Sequence, residues 1–334
     1  MISAYIKYIE YYIPVKKISN DYLASLSESW TAEKIHDKIG VKERFIADEN
    51  EFSSDLAYKA AQNLIFNNNI DINDIDFLIY CTQSPDYLVP TNACLLQSKL
   101  NLKKSIGALD FNLGCSGYVY GLGLAKGLIL SKSAKNILFI TSETYSKYLK
   151  PNDISNRSIF GDGASATLIS TSGVAKILDF IYGTNGDGGK NLNVKNAGLK
   201  HKQPNINIVE DFDEANSNHE YLHMNGAEVF SFTLFSIPNL ISELLNKNNV
   251  NFNEIDLFVF HQASKVVLDA LRKKIGISSD KFFNNIEYFG NTTSSTIPIA
   301  INNAINQNRI SKGNKVLIAG FGVGYSWAGT ILQF

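Results

Sequence analysis

The chain has 334 residues, of which 45% are hydrophobic and 19% are charged, and its formal net charge is −1. These values are typical of a globular protein with a large core, and they argue against a nucleic-acid-binding protein, which usually carries a strongly basic face. The three cysteines, Cys81, Cys94 and Cys115, form no CxxC pair. We therefore expect neither a disulfide framework nor a zinc site, and we predict a reducing cytoplasm as the compartment.

Strand and helix patterns alternate from the first residues onward. The N-terminal run MISAYIKYIEYY alternates like a strand, and FLIYCT, ILFITSE, ATLIS, LFVFH and VLIAGFG are apolar runs of strand length. Helical patterns cover Ser54–Phe66 and Ala227–Leu245. This alternation predicts layered α/β architecture. No apolar run approaches the roughly 18 residues of a membrane span, so we expect no membrane insertion.

Residues 183–226 differ from the rest of the chain because they are rich in Asn, Gly and charge and poor in apolar side chains. The composition predicts a long surface excursion. Loops of this length in compact domains are usually functional lids or partly disordered.

The chain contains an internal repeat. Residues 73–82 read NDIDFLIYCT and residues 253–262 read NEIDLFVFHQ, an offset of 180 residues. DFNLGCSGYVYGLGLA in the first half matches EYFGNTTSSTIPIA in the second at offsets of 176 to 178. We therefore predict two similar halves, residues 1–172 and 173–334.

The same repeat pairs Cys115 with Asn291 and Cys81 with His261. A symmetric fold would bring Cys115, His261 and Asn291 to equivalent strand ends at one central seam. Taken alone, each residue has a plain structural explanation: a small core thiol, a hydrogen-bonded core histidine and a Gly-Asn turn. The repeat favours a shared active site because it predicts that the three residues converge.

Cys115 lies between the strand-like run ALDFNL and a helix-like run from Tyr118 to Leu130. The helix dipole and free amides at such a position favour thiolate over thiol. The run has no charge before Lys126, so we expect the helix to be buried on all sides. Its glycines predict close approach of another backbone.

Five motifs occur in order with suitable spacing: DFNLGCSGYVYGLGLA, IFGDGASATLI, FHQAS, FGNTTSSTIP and GFGVGYSWAG. Over the full length they resemble the β-ketoacyl-acyl carrier protein synthase III family of the thiolase superfamily. The resemblance implies a five-layered αβαβα fold built from two pseudo-symmetric halves. It also assigns the family's catalytic Cys, His and Asn to Cys115, His261 and Asn291.

The mechanism implied by the resemblance has two steps. Cys115 attacks an acyl thioester and holds the acyl group, while the backbone amides of Cys115 and Val323 form the oxyanion hole. A malonyl thioester then loses carbon dioxide, and His261 and Asn291 stabilise its enolate, which attacks the acyl-cysteine. We expect no metal and no redox cofactor, and the Val323 side chain, where glycine is usual, is not expected to matter.

Several positions depart from the family pattern at its coenzyme A site. By alignment on Gly40, Lys34 replaces the tryptophan that stacks on adenine and Lys38 replaces a nearby arginine. Arg157 lies close to the position of a second arginine, and Ser264 replaces an asparagine. We therefore predict poor use of acetyl-CoA and an acyl donor carried by a carrier protein, or a dedicated pathway.

The resemblance also predicts acyl carrier protein as a partner and a homodimer in which Val89 reaches the other subunit's acyl pocket. Phenylalanine is common at that position in straight-chain acetyl users, so Val89 predicts room for larger acyl groups. Substrate contacts are assigned to Lys38, Val89, Arg157, Phe230, Ser264 and Phe321.

Three other functions fit parts of the pattern. A papain-like protease also has Cys, His and Asn in this order, but its cysteine lies near the mature N-terminus in a different motif. An acyltransferase of the same fold that acts on an amine or alcohol without decarboxylation shares the three residues. A non-catalytic partner subunit would be expected to lack the nucleophile.

Overall fold

The computed structural model describes residues 2–195, 198 and 221–334. The elements of the first half are β1 (Tyr5–Tyr12), β2 (Lys16–Ser19), α1 (Asn20–Ala24), α2 (Ala32–Ile39), β3 (Glu43–Ile46), α3 (Ser53–Asn67), β4 (Phe77–Cys81), α4 (Asn92–Lys99), β5 (Gly107–Phe111), α5 (Gly117–Leu130), β6 (Asn136–Glu143), α6 (Ile154–Ile159) and β7 (Gly163–Ser170).

The elements of the second half are β8 (Ala175–Thr184), β9 (Leu192–Asn193), β10 (His223–Met224), α7 (Gly226–Asn248), β11 (Leu257–Phe260), α8 (Lys265–Ile275), β12 (Phe282–Phe283), α9 (Ile286–Phe289), α10 (Thr296–Asn306), β13 (Lys315–Gly322) and β14 (Ser326–Gln333). The strand and helix patterns in the sequence predicted β4, β6, β7, β11, β13, α3 and α7 in these places.

Side-chain hydrogen bonds and glycines set the boundaries of α2 and α8, two helices near the candidate active site. α2 begins after Thr31, whose side chain accepts a hydrogen bond from a first-turn amide, and ends at Gly40 with a φ of 79°. α8 begins after Ser264, which caps it in the same way, and ends at Gly276 with a φ of 82°. Side-chain oxygens satisfy the free amides of a first turn, and glycine adopts the left-handed conformation without strain.

The two halves have the same strand order. The order is β5-β4-β6-β7-β1 in the first half and β12-β11-β13-β14-β8 in the second, and corresponding pairs are parallel or antiparallel alike. Antiparallel pairing of Ile6 in β1 with Ala175 in β8 joins the halves into one ten-stranded sheet. The expected division near residue 172 falls in the turn between β7 and β8. The repeat thus corresponds to a real structural duplication.

Helices cover the sheet in layers. α3 and α4 share a core with the first half's strands, and α7 and α8 share another with the second half's strands. Between the halves lies a third core that contains α5, α10 and strand residues of both halves. The five strands of each half act as one sheet layer. The layers therefore run helix, sheet, helix, sheet, helix, which is the five-layered αβαβα fold expected from the motifs.

α5 departs from the prediction in two ways. Leu124 and Leu130 are exposed, so the helix is not buried on all sides within one chain. Its glycines also make room for side chains rather than for another backbone. A Cβ at Gly121 would collide with the Phe139 ring, and one at Gly123 with the Tyr182 hydroxyl.

Among the described residues, α7 has the length and mean composition of a membrane span, which the search for apolar runs did not anticipate. The helix nevertheless packs one face on the sheet through a row that includes Ile237, Leu240 and Leu244, and Pro238 lies inside it. The core helices of globular proteins pass the same test of length and composition, and we interpret α7 as the outer layer of the fold.

The segment 183–226 is described only at its two ends. β9 and β10 pair with each other, and Leu192 and Leu222 are buried beside Tyr145 and Phe160. The two described ends of the segment therefore pack against the interior of the fold. The predicted excursion between them falls mainly on 196, 197 and 199–220, which lie outside the described residues.

A buried arginine ties the N-terminal hairpin to α6. The Arg44 guanidinium donates hydrogen bonds to Ile18 O (3.1 Å), Asn20 Oδ1 (2.7 Å) and Ser158 O (3.0 Å). Its side chain is fully buried, and burial lowers the pKa of Arg44 to about 10. α6 leads into residues 159–161, which contact Asn291. The hydrogen bonds of Arg44 therefore help to position that segment.

We expect Arg44→Met to lower the free energy of unfolding by about 3 kcal/mol or more, because three buried acceptors would lose their donor. Lys17→Met is the control. It removes the exposed ion pair with Glu43 (3.0 Å) on the neighbouring strands and should cost less than about 1 kcal/mol. Urea unfolding of both variants measures the difference. Equal losses would show that the buried contacts of Arg44 contribute no more than a surface pair.

Candidate active site

Cys115 lies between β5 and α5, where it contacts the second half of the chain. A Cβ at Gly320 would come within 2.6 Å of Cys115 O, and one at Gly322 within 2.8 Å of its Sγ. Both glycines belong to β13. The absence of a side chain at these positions lets Cys115 rest directly against the backbone of the other half.

His261 follows β11, and its amide extends the strand pairing by donating to Ala319 O (2.8 Å). The ring is buried, with Nδ1 at 2.8 Å from Thr296 Oγ1 at the start of α10. Nε2 lies 3.5 Å from Asn291 Nδ2. The imidazole is therefore fixed at both nitrogens by residues of the same half.

Asn291 is held by its backbone and its side-chain oxygen. Its amide donates to Ile159 O (2.8 Å), and its carbonyl accepts from the Gly161 amide (3.1 Å). Its Oδ1 accepts from the Thr293 amide (2.9 Å), which leaves Nδ2 directed towards His261 Nε2. Thr293 has a φ of 50°, which is strained for a β-branched residue, and such strain is common where a site must be held rigid.

One cavity of about 140 Å³ contains all three predicted catalytic residues. Its wall comes from both halves: Gln83, Cys115, Tyr145, Ile159, Phe160, Leu192, Met224, Gly226, Val229, Phe230, Thr233, His261, Ala263, Ser264, Val267, Asn291, Thr293, Phe321, Gly322 and Val323. A thiol, an imidazole and a carboxamide meet in a mostly apolar, enclosed space. This set can form a covalent thioester and stabilise a developing negative charge.

The electrostatics of the free site differ from the expectation of a thiolate. Burial, with a further contribution from the charge of Glu143, raises the pKa of the Cys115 thiol to about 12. Hydrogen bonds from the amides of Cys115 and Val323 act in the opposite direction, which means that both amides face the sulfur. Burial also lowers the pKa of His261 to about 3. Desolvation outweighs the helix N-terminus, so a neutral thiol and a neutral imidazole are the resting forms.

Comparison with known proteins agrees with this arrangement. Family models described as 3-oxoacyl-[acyl-carrier-protein (ACP)] synthase III and its C-terminal part match residues 109–186 and 245–334. The chain is 38% identical over 324 residues to beta-ketoacyl-[acyl-carrier-protein] synthase III 2 of Staphylococcus epidermidis, covering 97% of this chain and 96% of that protein. It is 36% identical over 335 residues to beta-ketoacyl-[acyl-carrier-protein] synthase III of Campylobacter jejuni, covering 100% and 98%.

A crystal structure of a 3-oxoacyl-(acyl-carrier-protein) synthase III superposes with a TM-score of 0.93 at 44% identity, covering 99% of this chain and 100% of that one. The chain belongs to the 3-oxoacyl-(acyl-carrier-protein) synthase III family. It is an enzyme of the acyltransferase class with the thiolase fold, as the ordered motifs predicted. The individual roles of its site residues stay predictions.

The remaining predicted contacts of the synthase fall into two groups. Phe230, Ser264 and Phe321 line the cavity around Cys115. Lys38, Val89 and Arg157 do not line it. Lys38 lies on α2, Val89 is 82% exposed, and the Arg157 guanidinium donates to Pro151 O. In a single chain, these three residues could contact only those parts of a substrate that extend outside the cavity. In a dimer, they could also contact the second subunit.

Sequence reasoning missed an aromatic ring beside Lys38. The Nζ atoms of Lys34 and Lys38 lie 5.1 Å and 5.8 Å from the centroid of the Trp30 ring. Alignment on Gly40 without gaps had put a lysine in the place of the family's tryptophan. Trp30 lies four residues before Lys34, in the segment that precedes α2, where alignment on Gly40 drew no attention to it.

The side chain of Val323, as well as its backbone amide, forms part of the candidate active site. Its side chain lines the cavity and joins the apolar cluster of Tyr145, Phe160 and Leu192. A Cβ at Gly114 would lie 3.1 Å from the Val323 side chain, so the isopropyl group stands against the loop that carries Cys115. The Val323 side chain thus helps to shape the cavity, while the expectation that its amide does the work of the oxyanion hole stays a prediction.

Glu143 is a second residue that the sequence did not single out. At the end of β6, its carboxylate accepts from Ser84 Oγ (2.9 Å), the Gln83 amide (3.0 Å), Ser294 Oγ (2.9 Å) and Thr82 Oγ1 (3.4 Å). The cluster joins the loop that carries Gln83 to the segment after Asn291. Burial raises the pKa of Glu143 to about 7.

We expect Gly322→Ala to slow acylation of Cys115 by about 10²-fold, because the new Cβ would displace the sulfur from its position at the two amides. Gly127→Ala in α5 is the matched control, since a Cβ there meets nothing within 4 Å. Intact-protein mass spectrometry over time after addition of an acyl thioester measures the rates. Normal acylation of the Gly322 variant would mean that Cys115 has more freedom than its contacts indicate.

The Glu143 carboxyl should make folding stability depend on pH. Its pKa is raised by folding, so its stabilising contribution is present below its ordinary value near 4.5 and is lost as the pH rises through about 7. We expect the wild type to lose roughly 2–3 kcal/mol more than Glu143→Gln between about pH 5 and pH 8. Urea unfolding at several pH values measures this. Parallel curves for the two proteins would contradict it, since Asp162 and the other buried acids are present in both.

Proposed function

We propose that this enzyme transfers an acyl group from a thioester to Cys115 and condenses it with a malonyl thioester, with loss of carbon dioxide. The single observation that carries the proposal is the shared, buried cavity of Cys115, His261 and Asn291. Family membership supports the same reaction, because the relatives are named β-ketoacyl synthases. The product is a 3-oxoacyl thioester.

In the first step, His261 accepts the thiol proton as the sulfur of Cys115 attacks the thioester carbon. Because both side chains rest in their neutral forms, the proton is transferred only when the donor is bound. The amides of Cys115 and Val323 donate to the oxyanion that forms on the thioester oxygen. The carbon–sulfur bond of the donor then breaks, and its thiolate leaves with the proton.

In the second step, a malonyl thioester binds with its thioester oxygen facing His261 and Asn291. Hydrogen bonds from both side chains stabilise the enolate as carbon dioxide leaves. The enolate carbon attacks the acyl-cysteine, a carbon–carbon bond forms, and Cys115 is released and takes up a proton. These steps need no metal ion and no redox cofactor.

The proposed partner is an acyl carrier protein whose acidic surface would contact the basic side chains near the cavity. Ser264 lines the cavity, and the next residue, Lys265, packs on Gly40 at the end of α2. Lys34 and Lys38 on α2 and Arg272, Lys273 and Lys274 on α8 add positive charge to these two neighbouring helices. Such a surface steers acidic partners and weakens at high salt.

The proposed acyl donor is carried by the carrier protein, because Lys34 and Lys38 replace the residues that relatives would use for coenzyme A. Trp30 supports a second donor form, a free coenzyme A thioester. Its ring lies beside those two lysines and could stack on a nucleotide, which is worth about 1–3 kcal/mol in comparable cases.

A homodimer in the cytoplasm completes the proposal. β5 is an edge strand of the large sheet, so a second copy can extend the sheet there. The loop before α4 exposes Tyr87, Leu88 and Val89, with Val89 82% exposed. Dimerisation along β5 would cover this apolar loop and bring Val89 to the partner's cavity.

We expect intact-protein mass spectrometry to show one acyl group on the wild type and none on Cys115→Ala after incubation with a panel of carrier-bound and coenzyme A-bound donors. The mass added identifies the acyl group, and the relative rates identify the donor form. Product mass after addition of malonyl carrier protein tests the condensation. Transfer to an amine or alcohol without loss of carbon dioxide would instead support the non-decarboxylating alternative.

We also expect Asn291→Ala to keep most of its acylation rate but to lose about 10²-fold or more in the condensation step, because its carboxamide donates to the enolate and not to the first oxyanion. Single-turnover measurements of thiol release and carbon dioxide release separate the two steps. Equal losses in both would show that Asn291 mainly holds the structure of the cavity.

A further inference from the structure

His261 contacts a hydroxyl group that has two possible acceptors. Thr296 Oγ1 lies 2.8 Å from His261 Nδ1 and 3.0 Å from Thr293 O, and all three residues are buried. The pKa of His261 also reflects a hydrogen bond to the Thr293 backbone, so this carbonyl is within reach of the ring as well. The imidazole, the hydroxyl and the carbonyl therefore form a compact triangle on the side of His261 that faces away from Asn291.

The triangle permits two proton arrangements, because a threonine hydroxyl has one proton and can donate to one acceptor at a time. When it donates to Thr293 O, it accepts from Nδ1–H, and Nε2 has a free lone pair. When it donates to Nδ1, the proton of the neutral ring lies on Nε2. Rotation of one hydroxyl thus lets Thr296 hydrogen-bond to either neutral tautomer of the ring, while the ring itself changes tautomer by exchanging protons with solvent.

The two steps of the proposed reaction need opposite forms of the ring. In acylation, Nε2 must have a lone pair to accept the proton of the Cys115 thiol. In condensation, Nε2 must have a proton to donate to the enolate oxygen beside Asn291 Nδ2. Because burial keeps the ring neutral, one protonation state cannot serve both steps, and the ring must change tautomer between them.

We propose that Thr296 is a positioning residue that supports both tautomers of His261 and so allows one imidazole to act as base in acylation and as hydrogen-bond donor in condensation. This inference rests on the proposed function. Thr296 does not line the cavity in the described part of the chain, so it acts on the substrate through His261.

The proton balance of both steps is complete. In acylation, the S–H bond of Cys115 breaks, Nε2 takes the proton, the new C–S bond forms, and the departing thiolate removes the proton from Nε2. The ring is then neutral with its proton on Nδ1, and exchange with solvent removes this proton and supplies one to Nε2 as the Thr296 hydroxyl turns from acceptor to donor. In condensation, the carboxylate electrons pass into the enolate as carbon dioxide leaves, Nε2–H stabilises the enolate oxygen, and the released Cys115 thiolate takes one proton from solvent.

The test is Thr296→Val, which keeps the volume and removes the hydroxyl. Nδ1 can then satisfy its hydrogen bond only by donating to Thr293 O, so the ring is held with a lone pair on Nε2. We expect acylation within roughly threefold of the wild type and carbon dioxide release from the acyl-enzyme slower by about 10²-fold or more. Thr296→Ser should restore condensation because it restores the hydroxyl.

Two further measurements separate this role from a structural one. Thr330→Val in β14 is the matched control, because it removes an equally buried hydroxyl, which donates to Leu178 O and Asp179 O of β8 and does not line the cavity. It should lose comparable stability in urea and keep both partial reactions. Nitrogen-15 spectra of histidine-labelled enzyme should show His261 protonated on Nδ1 in Thr296→Val, and a greater share on Nε2 in the wild type.

The outcomes are distinct. A wild type that forms no acyl-enzyme, or releases no carbon dioxide, refutes the proposed function itself. A wild type that performs both steps, together with a Thr296→Val variant that loses both equally or neither, overturns the tautomer role. Failure of Thr296→Ser to restore condensation also overturns it.

Discussion

The site depends on one contact between the two halves, in which Cys115 rests against the backbone of β13. Gly320 and Gly322 leave no side chain at this contact, so the sulfur lies beside the turn that supplies the Val323 amide. The duplicated strand order puts β5, which precedes Cys115, and β12, which precedes Asn291, at related positions, and the pairing of β1 with β8 holds the halves together. Neither half alone has the thiol, the imidazole and the carboxamide. The three predicted catalytic residues therefore come together only where the two halves meet.

Burial at this seam strengthens hydrogen bonds and suppresses charge at the same time. It favours a neutral thiol and a neutral imidazole, although a nucleophilic cysteine must become a thiolate to react. The two amides that face the sulfur offset part of this cost and serve a developing oxyanion equally well. The neutral thiol of the free enzyme is thus a weaker nucleophile than a thiolate would be. Activation requires the binding of a substrate that accepts the charge.

The sequence was sufficient to predict features that recur along the chain. The repeat predicted the duplicated halves, and pairing Cys115 with Asn291 and Cys81 with His261 predicted the strand ends that form the cavity. It could not predict features that depend on contacts between distant residues. Trp30 was missed because only the fold shows that its ring lies beside Lys34 and Lys38, and the packing of the Val323 side chain was missed because its neighbours Tyr145, Phe160 and Leu192 are far away in sequence. Glu143 ends an ordinary buried strand, and only the fold shows that four donors surround it.

Hydroxyl groups make several of the buried polar contacts in the interior between the halves. Thr141 bonds with Ser165 and Ser295 in one buried cluster, Ser294 reaches Glu143, and Thr296 reaches His261. Hydroxyls can donate or accept, so they satisfy buried partners without fixing the direction of each proton. Aliphatic side chains of the same size would pack as well, but they would leave the carboxyl and the imidazole without partners. Buried polar groups at the seam are thus held by adaptable hydroxyls, which accounts for Ser294, Ser295 and Thr296 in the run that follows Asn291.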